Sequence, residues 1–117
     1  MSAEIRPLPG DDPVSSRETQ AAGGFRIDCE RDGDGRLVLR PVGELDLLTA
    51  PVLAEALARS EPEETLVVDL ARVTFLDSSG LRALLLAHED GAVLRSPSSP
   101  ARTTFQVARV SSVLVDP

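Results

Sequence analysis

The sequence predicts a single α/β domain, a mixed sheet of four to five strands flanked by helices, with a short second helix. Three observations predict it. The chain has 117 residues, 42% of them hydrophobic, enough for one buried core and too few for two. From Phe25 onward, apolar and polar residues alternate with the two-residue period of a half-buried strand. Further along, short β-branched runs alternate with segments of helical period across short loops, the pattern of parallel strands joined by crossover helices. With three Phe and no Tyr or Trp, the core must be aliphatic.

Residues 1–23 are rich in Pro, Gly, Ser and acidic groups and have no periodicity, so they cannot offset the entropy of ordering. They are read as a flexible N-terminal tail, and residues 24–117 as the domain. Phe25, Ile27 and Cys29 alternate with Arg26, Asp28 and Glu30, giving a first strand. Arg31-Asp32-Gly33-Asp34-Gly35 supplies residues that tolerate positive φ, and Leu37, Leu39 and Val42 follow, so a hairpin results. After Gly43-Glu44-Leu45-Asp46, Thr49 offers a capping hydroxyl and Pro51 suits a first helical turn. That helix runs to about Ser60, with Val52, Leu53, Ala56 and Leu57 on one face.

Thr65-Leu66-Val67-Val68-Asp69-Leu70 reads as a central strand. Val73-Thr74-Phe75-Leu76 leads to the turn Asp77-Ser78-Ser79-Gly80, and Leu81, Leu84, Leu85 and His88 then fall at helical spacing. The second helix therefore begins at the serine pair, with a serine as its expected N-cap. Ala92-Val93-Leu94 and Val113-Leu114-Val115 read as strands, and Ala101 to Arg109 as a short helix.

The charge of −7, with every basic residue an Arg, disfavours contact with phosphate backbones and points away from nucleic acid. A protein partner fits it better. The one cysteine, Cys29, has no internal partner and occupies a strand position, where it acts as a small buried hydrophobe. No apolar run resembles a signal peptide or reaches membrane-spanning length, so a cytoplasmic location with no membrane association is expected.

A serine at a helix start caps the helix, and the same place suits phosphate, because free N–H groups and the positive end of the helix dipole favour an anion. Hydrolysis is hard to build from these residues. Asp-Ser-Ser-Gly is not Gly-x-Ser-x-Gly, and the only imidazole, His88, lies about 15 Å beyond Ser78 at 1.5 Å per helical residue. No base accompanies the serine, and the chain is not expected to be an enzyme. Glu44, Asp46, Asp69 and Asp77 lie at strand ends or in the loops after them, where Mg²⁺ could be held, but no spacing enforces a common coordination sphere. No glycine-rich phosphate cradle or Cys/His metal pattern is present, so neither metal nor cofactor is expected.

Gly43-Glu44-Leu45-Asp46 with Thr49-Ala50-Pro51, followed in order by Val67-Val68-Asp69-Leu70 and Phe75-Leu76-Asp77-Ser78-Ser79-Gly80-Leu81, resembles the STAS domain. The likeness runs over roughly Phe25 to Pro117 and is strongest to the bacterial anti-sigma factor antagonists. The resemblance implies that Ser78 is phosphorylated by an anti-sigma factor serine kinase, which brings ATP and Mg²⁺. It further implies that the unmodified protein captures this kinase and frees the sigma factor, that the phosphorylated form lets go, and that a phosphatase resets it. Glu44, Asp46, Thr49, Asp77, Ser79 and Gly80 would form the partner-binding surface around Ser78. One stretch departs from the family pattern. Between Ala87 and Ala92 only His88-Glu89-Asp90-Gly91 remain, which leaves a second helix of about two and a half turns. The departure motivates an alternative, a STAS interaction subunit that does not switch, within a larger signalling or lipid-transport assembly.

Overall fold

A computed structural model describes residues 17–22, 24–61 and 64–115. β1 (Arg17–Ala22) pairs antiparallel with β2 (Phe25–Arg31), which pairs antiparallel with β3 (Leu37–Leu45). The chain then forms α1 (Ala50–Ala58), β4 (Leu66–Asp69), β5 (Val73–Leu76), α2 (Ser78–Glu89), β6 (Val93–Arg95), α3 (Ser99–Val107) and, after a 3₁₀ turn at Ser111–Val113, β7 (Leu114–Val115). The strand order is β1-β2-β3-β4-β6-β7, with β5 pairing β3 outside that path. The pairs β3–β4, β3–β5, β4–β6 and β6–β7 are all parallel.

The expected hairpin forms at the expected place. Asp32 closes its turn, one carboxylate oxygen accepting from Asp34 N at 2.9 Å and Arg36 N at 3.0 Å and the other from Arg36 Nε at 2.8 Å. Gly35 takes the positive φ of 82° that the turn requires.

Three expectations are corrected. Arg17–Ala22, assigned to the tail, forms an edge strand in register with β2; the rest of the tail, residues 1–16 and Gly23, lies outside the described residues. With β5, this brings the strands to seven rather than four to five. The second helix, expected to make about two and a half turns, runs through Glu89 for 12 residues and is the longest of the three helices described.

β3 is long enough to serve two neighbours. Leu37–Leu39 pair with β4, while Gly43–Leu45 pair with β5, with a register shift between Gly43 and Glu44. Gly43 absorbs the shift at φ 118°, its N–H donating to Arg72 O at 3.1 Å. This jog carries the ends of β3 and β5 to one edge of the domain, where the loops to α1 and α2 emerge side by side.

The helices share a core with one face of the sheet. Ile27, Leu39, Val68 and Leu94 from the strands meet Leu53, Leu84 and Phe105 from the helices, all essentially without exposure. The core is aliphatic as expected, with Phe25 and Phe105 inside it and Phe75 half outside. Cys29 is buried, as its strand position indicates. On the other face runs a row of alternating charge. Asp69, only 7% exposed, lies 3.6 Å from Arg40 Nη2 and 3.4 Å from Arg95 Nε, and Arg40 lies 3.6 Å from Glu30. Opposite charges on adjacent strands support the pairing and satisfy a carboxylate that burial would otherwise penalise. Among the described residues, no helix is long and apolar enough to cross a membrane.

Candidate functional site

The loops after β3 and β5 build the site, and each is fixed by its own side chains. After β3, the Asp46 carboxylate accepts from Leu48 N at 3.0 Å and Thr49 N at 3.1 Å, an Asx turn of the kind Asp forms before a helix. The Thr49 hydroxyl accepts from Asp46 N at 2.9 Å and donates to Glu44 O at 2.7 Å. Thr49 occupies the N-cap position of α1 but makes no side-chain cap. Its hydroxyl instead cinches the turn, a correction to the capping role expected of it. The cinched turn pushes Leu47 and Leu48 outward, where they are 70% and 82% exposed.

After β5, the cap is again not the residue expected. Asp77, rather than either serine, is the N-cap of α2, and its carboxylate accepts from Gly80 N at 3.0 Å. A carboxylate reaches the third helical N–H and adds a favourable charge at the positive end of the dipole. Ser78 and Ser79 thereby become the first two helical residues, and neither side chain makes a hydrogen bond among the described residues. Ser78 is exposed and Ser79 half-buried.

The two loops are joined at Leu45, whose carbonyl accepts from Asp77 N at 3.3 Å. Gly80 packs beneath that junction. A β-carbon on it would come within 2.7 Å of Leu76 Cδ1 and 2.9 Å of the Leu45 carbonyl carbon. Gly80 is buried and shapes the turn from beneath. From below, Thr104 of α3 donates to Leu76 O at 2.8 Å, and Ser98 donates to Val73 O at 2.6 Å while capping α3. These hydroxyls fix β5 directly before the Ser78 turn.

Of the expected site residues, Glu44, Asp46, Thr49, Asp77, Ser78 and Ser79 all gather on this edge. Asp69 does not join them, because it is held by Arg40 and Arg95. Asp46 and Asp77 spend carboxylate oxygens on backbone N–H groups, and no group of three or more His, Cys, Asp or Glu among the described residues is arranged to hold a metal. His88 is exposed near the far end of α2, with Nδ1 3.3 Å from Ala92 O, and brings no base to Ser78.

Two features escaped the sequence reading. A groove of about 950 Å³ runs between α1 and α2, with Ala54 and Leu57 on one wall and Ala83 and Leu86 on the other, and it reaches Leu47 and Ser79 at the site. Arg82 stands on its wall. The Leu47-Leu48 pair inside a turn was the available signal, because two large apolar residues between Asp46 and Thr49 have no core to enter.

A mixed sheet with helices on one face and a serine turn opening the second helix defines the class of protein. The STAS domain model matches residues 27–115, and the chain belongs to the STAS domain family. Over 60 residues it is 42% identical to the anti-sigma-F factor antagonist RsfB of Mycobacterium tuberculosis, a match covering 50% of this chain and 49% of that protein. The match thus spans about half the length of the curated relative. Among solved structures, it is similar to an anti-sigma factor antagonist from Mycobacterium paratuberculosis, at 29% identity and TM-score 0.65, over 83% of this chain and 89% of that one. It shares its fold with SpoIIAA in the unphosphorylated form, at 22% identity and TM-score 0.64, over 78% and 87% of the two chains. The phosphorylated form of SpoIIAA from Bacillus is also similar in fold, at 22% identity and TM-score 0.59, over 78% and 90%.

Proposed function

We propose that this protein is an anti-sigma factor antagonist, a cytoplasmic binding protein without catalytic activity of its own, and that Ser78 is its phosphorylation switch. The observation that carries the reading is the placement of Ser78. Its hydroxyl is exposed at the first position of α2 and free of intramolecular hydrogen bonds among the described residues, while Asp77 takes over the capping that a serine would otherwise perform. A hydroxyl so placed can be reached by a second active site without unfolding the helix. The partner is an anti-sigma factor that is also a serine kinase and brings ATP and Mg²⁺. The Ser78 Oγ–phosphorus bond forms, the bond from the γ-phosphorus to the ADP oxygen breaks, and the hydroxyl proton passes to the kinase's base. A phosphatase reverses the modification by hydrolysis.

Glu44, Asp46, Thr49, Asp77 and Ser79 surround Ser78 in the contact surface, and Leu47 and Leu48 supply its apolar anchors. Phosphorylation adds roughly 1.5 to 2 negative charges among three carboxylates. A tenfold loss of affinity needs only about 1.4 kcal/mol, which one charge buried in a contact can supply. The alternative of a subunit that does not switch drew its motive from a shortened second helix, and α2 has 12 residues.

The test is to incubate the protein with its cognate anti-sigma factor kinase and ATP, then to map phosphate by mass spectrometry. One phosphate on Ser78, absent from Ser78→Ala, is expected. Equal labelling of Ser78→Ala would remove the assignment.

A further inference from the structure

We propose that Arg82 is the intramolecular phosphate-binding residue of this switch, engaging the phosphate of phosphorylated Ser78 and thereby neutralising the cation on the wall of the α1–α2 groove. The inference rests on the reading of Ser78 as the phosphorylated residue. It is carried by the position of Arg82 in α2, by the absence of any acidic neighbour on that helix face, and by its place on the groove wall.

Ser78 and Arg82 are four residues apart in one helix, so their β-carbons lie about 5–6 Å apart on the same face. Helical Cα–Cβ bonds tilt toward the N-terminus, which leans the long Arg82 side chain back over the turn that Ser78 begins. An acid preceding a base by four residues is also the favourable order along a helix. In the unmodified protein this arrangement lacks its acid. The helix neighbours of Arg82 at three and four residues in either direction are Ser78, Ser79, Leu85 and Leu86, none of them charged. No ion pair or hydrogen bond engages its exposed side chain among the described residues. Phosphorylation would supply the missing acid four residues ahead of the guanidinium, and a guanidinium suits two phosphate oxygens at once.

The surroundings leave few competitors. Arg82 is the only Arg or Lys in α2. The charged side chains of the two loops at this edge are the carboxylates of Glu44, Asp46 and Asp77, which repel a phosphate. The N–H of Gly80, in the first turn of the helix, is already taken by Asp77.

The consequence reaches the groove. Arg82 lines it together with Ser79, Ala83 and Leu86, and it is the one basic residue in a described lining that also holds Glu61, Glu64 and Asp90. Once a phosphate engages the guanidinium, the groove loses that cation and its lining becomes more negative. One covalent event then alters both the Ser78 loop and the adjoining groove, and a partner lying across both would feel the two changes together.

The test installs phosphoserine at position 78 of the full chain during translation, so no kinase is required. The second ionisation of that phosphate is followed by ³¹P NMR, and an adjacent cation lowers its pKa. Relative to Arg82→Gln, the protein with Arg82 is expected to titrate lower by about 0.3 pH unit, the size of a helical ion pair at four-residue spacing. The difference should shrink in 1 M salt, and Arg59→Gln on the C-terminal side of α1 should leave the midpoint where it is. Equal midpoints for the parent protein and its Arg82→Gln variant would overturn the proposal. A kinase that never labels Ser78 would sink the functional reading while leaving this titration unaffected, so the two failures are distinguishable.

Discussion

Gly80 lies against the backbone of Leu45, closely enough that an added β-carbon would come within 2.9 Å of the Leu45 carbonyl carbon. The contact joins the two sequence motifs of the site, since Leu45 belongs to Gly-Glu-Leu-Asp and Gly80 closes Asp-Ser-Ser-Gly. Backbone cannot rotate aside as a side chain can. Gly80→Ala should therefore cost about 1–3 kcal/mol, read as a lower urea midpoint with an unchanged slope. A fully stable Gly80→Ala protein would mean that the loops are less tightly joined than this.

The cap of α2 makes a second prediction, because Asp77 and the serines compete for the role. Asp77→Ala should destabilise the protein by about 1 kcal/mol, while Asp77→Asn keeps the acceptor and most of the stability. Ser78→Ala should be nearly neutral in the same chemical denaturation, since its hydroxyl bonds nothing among the described residues. The reverse order would return the cap to Ser78.

Thr104 ties α3 to the strand that precedes the site, through its 2.8 Å bond to Leu76 O. Thr104→Val preserves shape but removes the donor and should cost about 1 kcal/mol, with Thr104→Ser recovering most of it. Amide chemical shifts of Asp77 and Ser78 should move in the valine variant. Unmoved shifts would show that the bond does not position the turn.

How legible these features were depended on whether the signal was local. β2 and β3 announced themselves because Phe25, Ile27 and Cys29 alternate with charged residues, and β4 did so through a compact β-branched run. β1 gave no such signal, since Arg-Glu-Thr-Gln-Ala-Ala has no apolar period and its pairing is set by β2. β5 has buried ends and an exposed middle, which conceals its strand character. The candidate residues could be named from motif order, but their local bonding could not. Thr49 binds Glu44 O rather than the helix, Asp77 displaces the serines as cap, and Gly80 is buried under Leu45. Each of those outcomes depends on how a loop settles against its neighbours. Length deceived in the case of α2, which reads as about two and a half turns and runs for 12 residues through Glu89.

Asp32 makes the acid dependence of the hairpin testable. Loss of hydration raises its pKa, but hydrogen bonds from the Arg36 backbone, the Arg36 guanidinium and the Asp34 backbone, with the Arg36 charge, outweigh this and hold it below the ordinary value. A carboxylate depressed in the folded state contributes stability that is present above its unfolded pKa of about 3.9 and is lost as pH falls through the folded value. Asp32→Asn should flatten the stability curve on that acid limb and leave its shape near neutrality unaltered. An NMR midpoint for Asp32 at or above that of a free aspartate would contradict the assignment.

The central claim is that charge on Ser78 releases the partner, and one binding measurement bears on it most directly. Isothermal titration of the anti-sigma factor kinase with the unmodified protein and with Ser78→Asp should show at least a tenfold weaker dissociation constant for the variant, about 1.4 kcal/mol, with Ser78→Ala binding as the unmodified protein does. Equal affinities for all three proteins would contradict the switch and leave a STAS domain that binds without regard to Ser78.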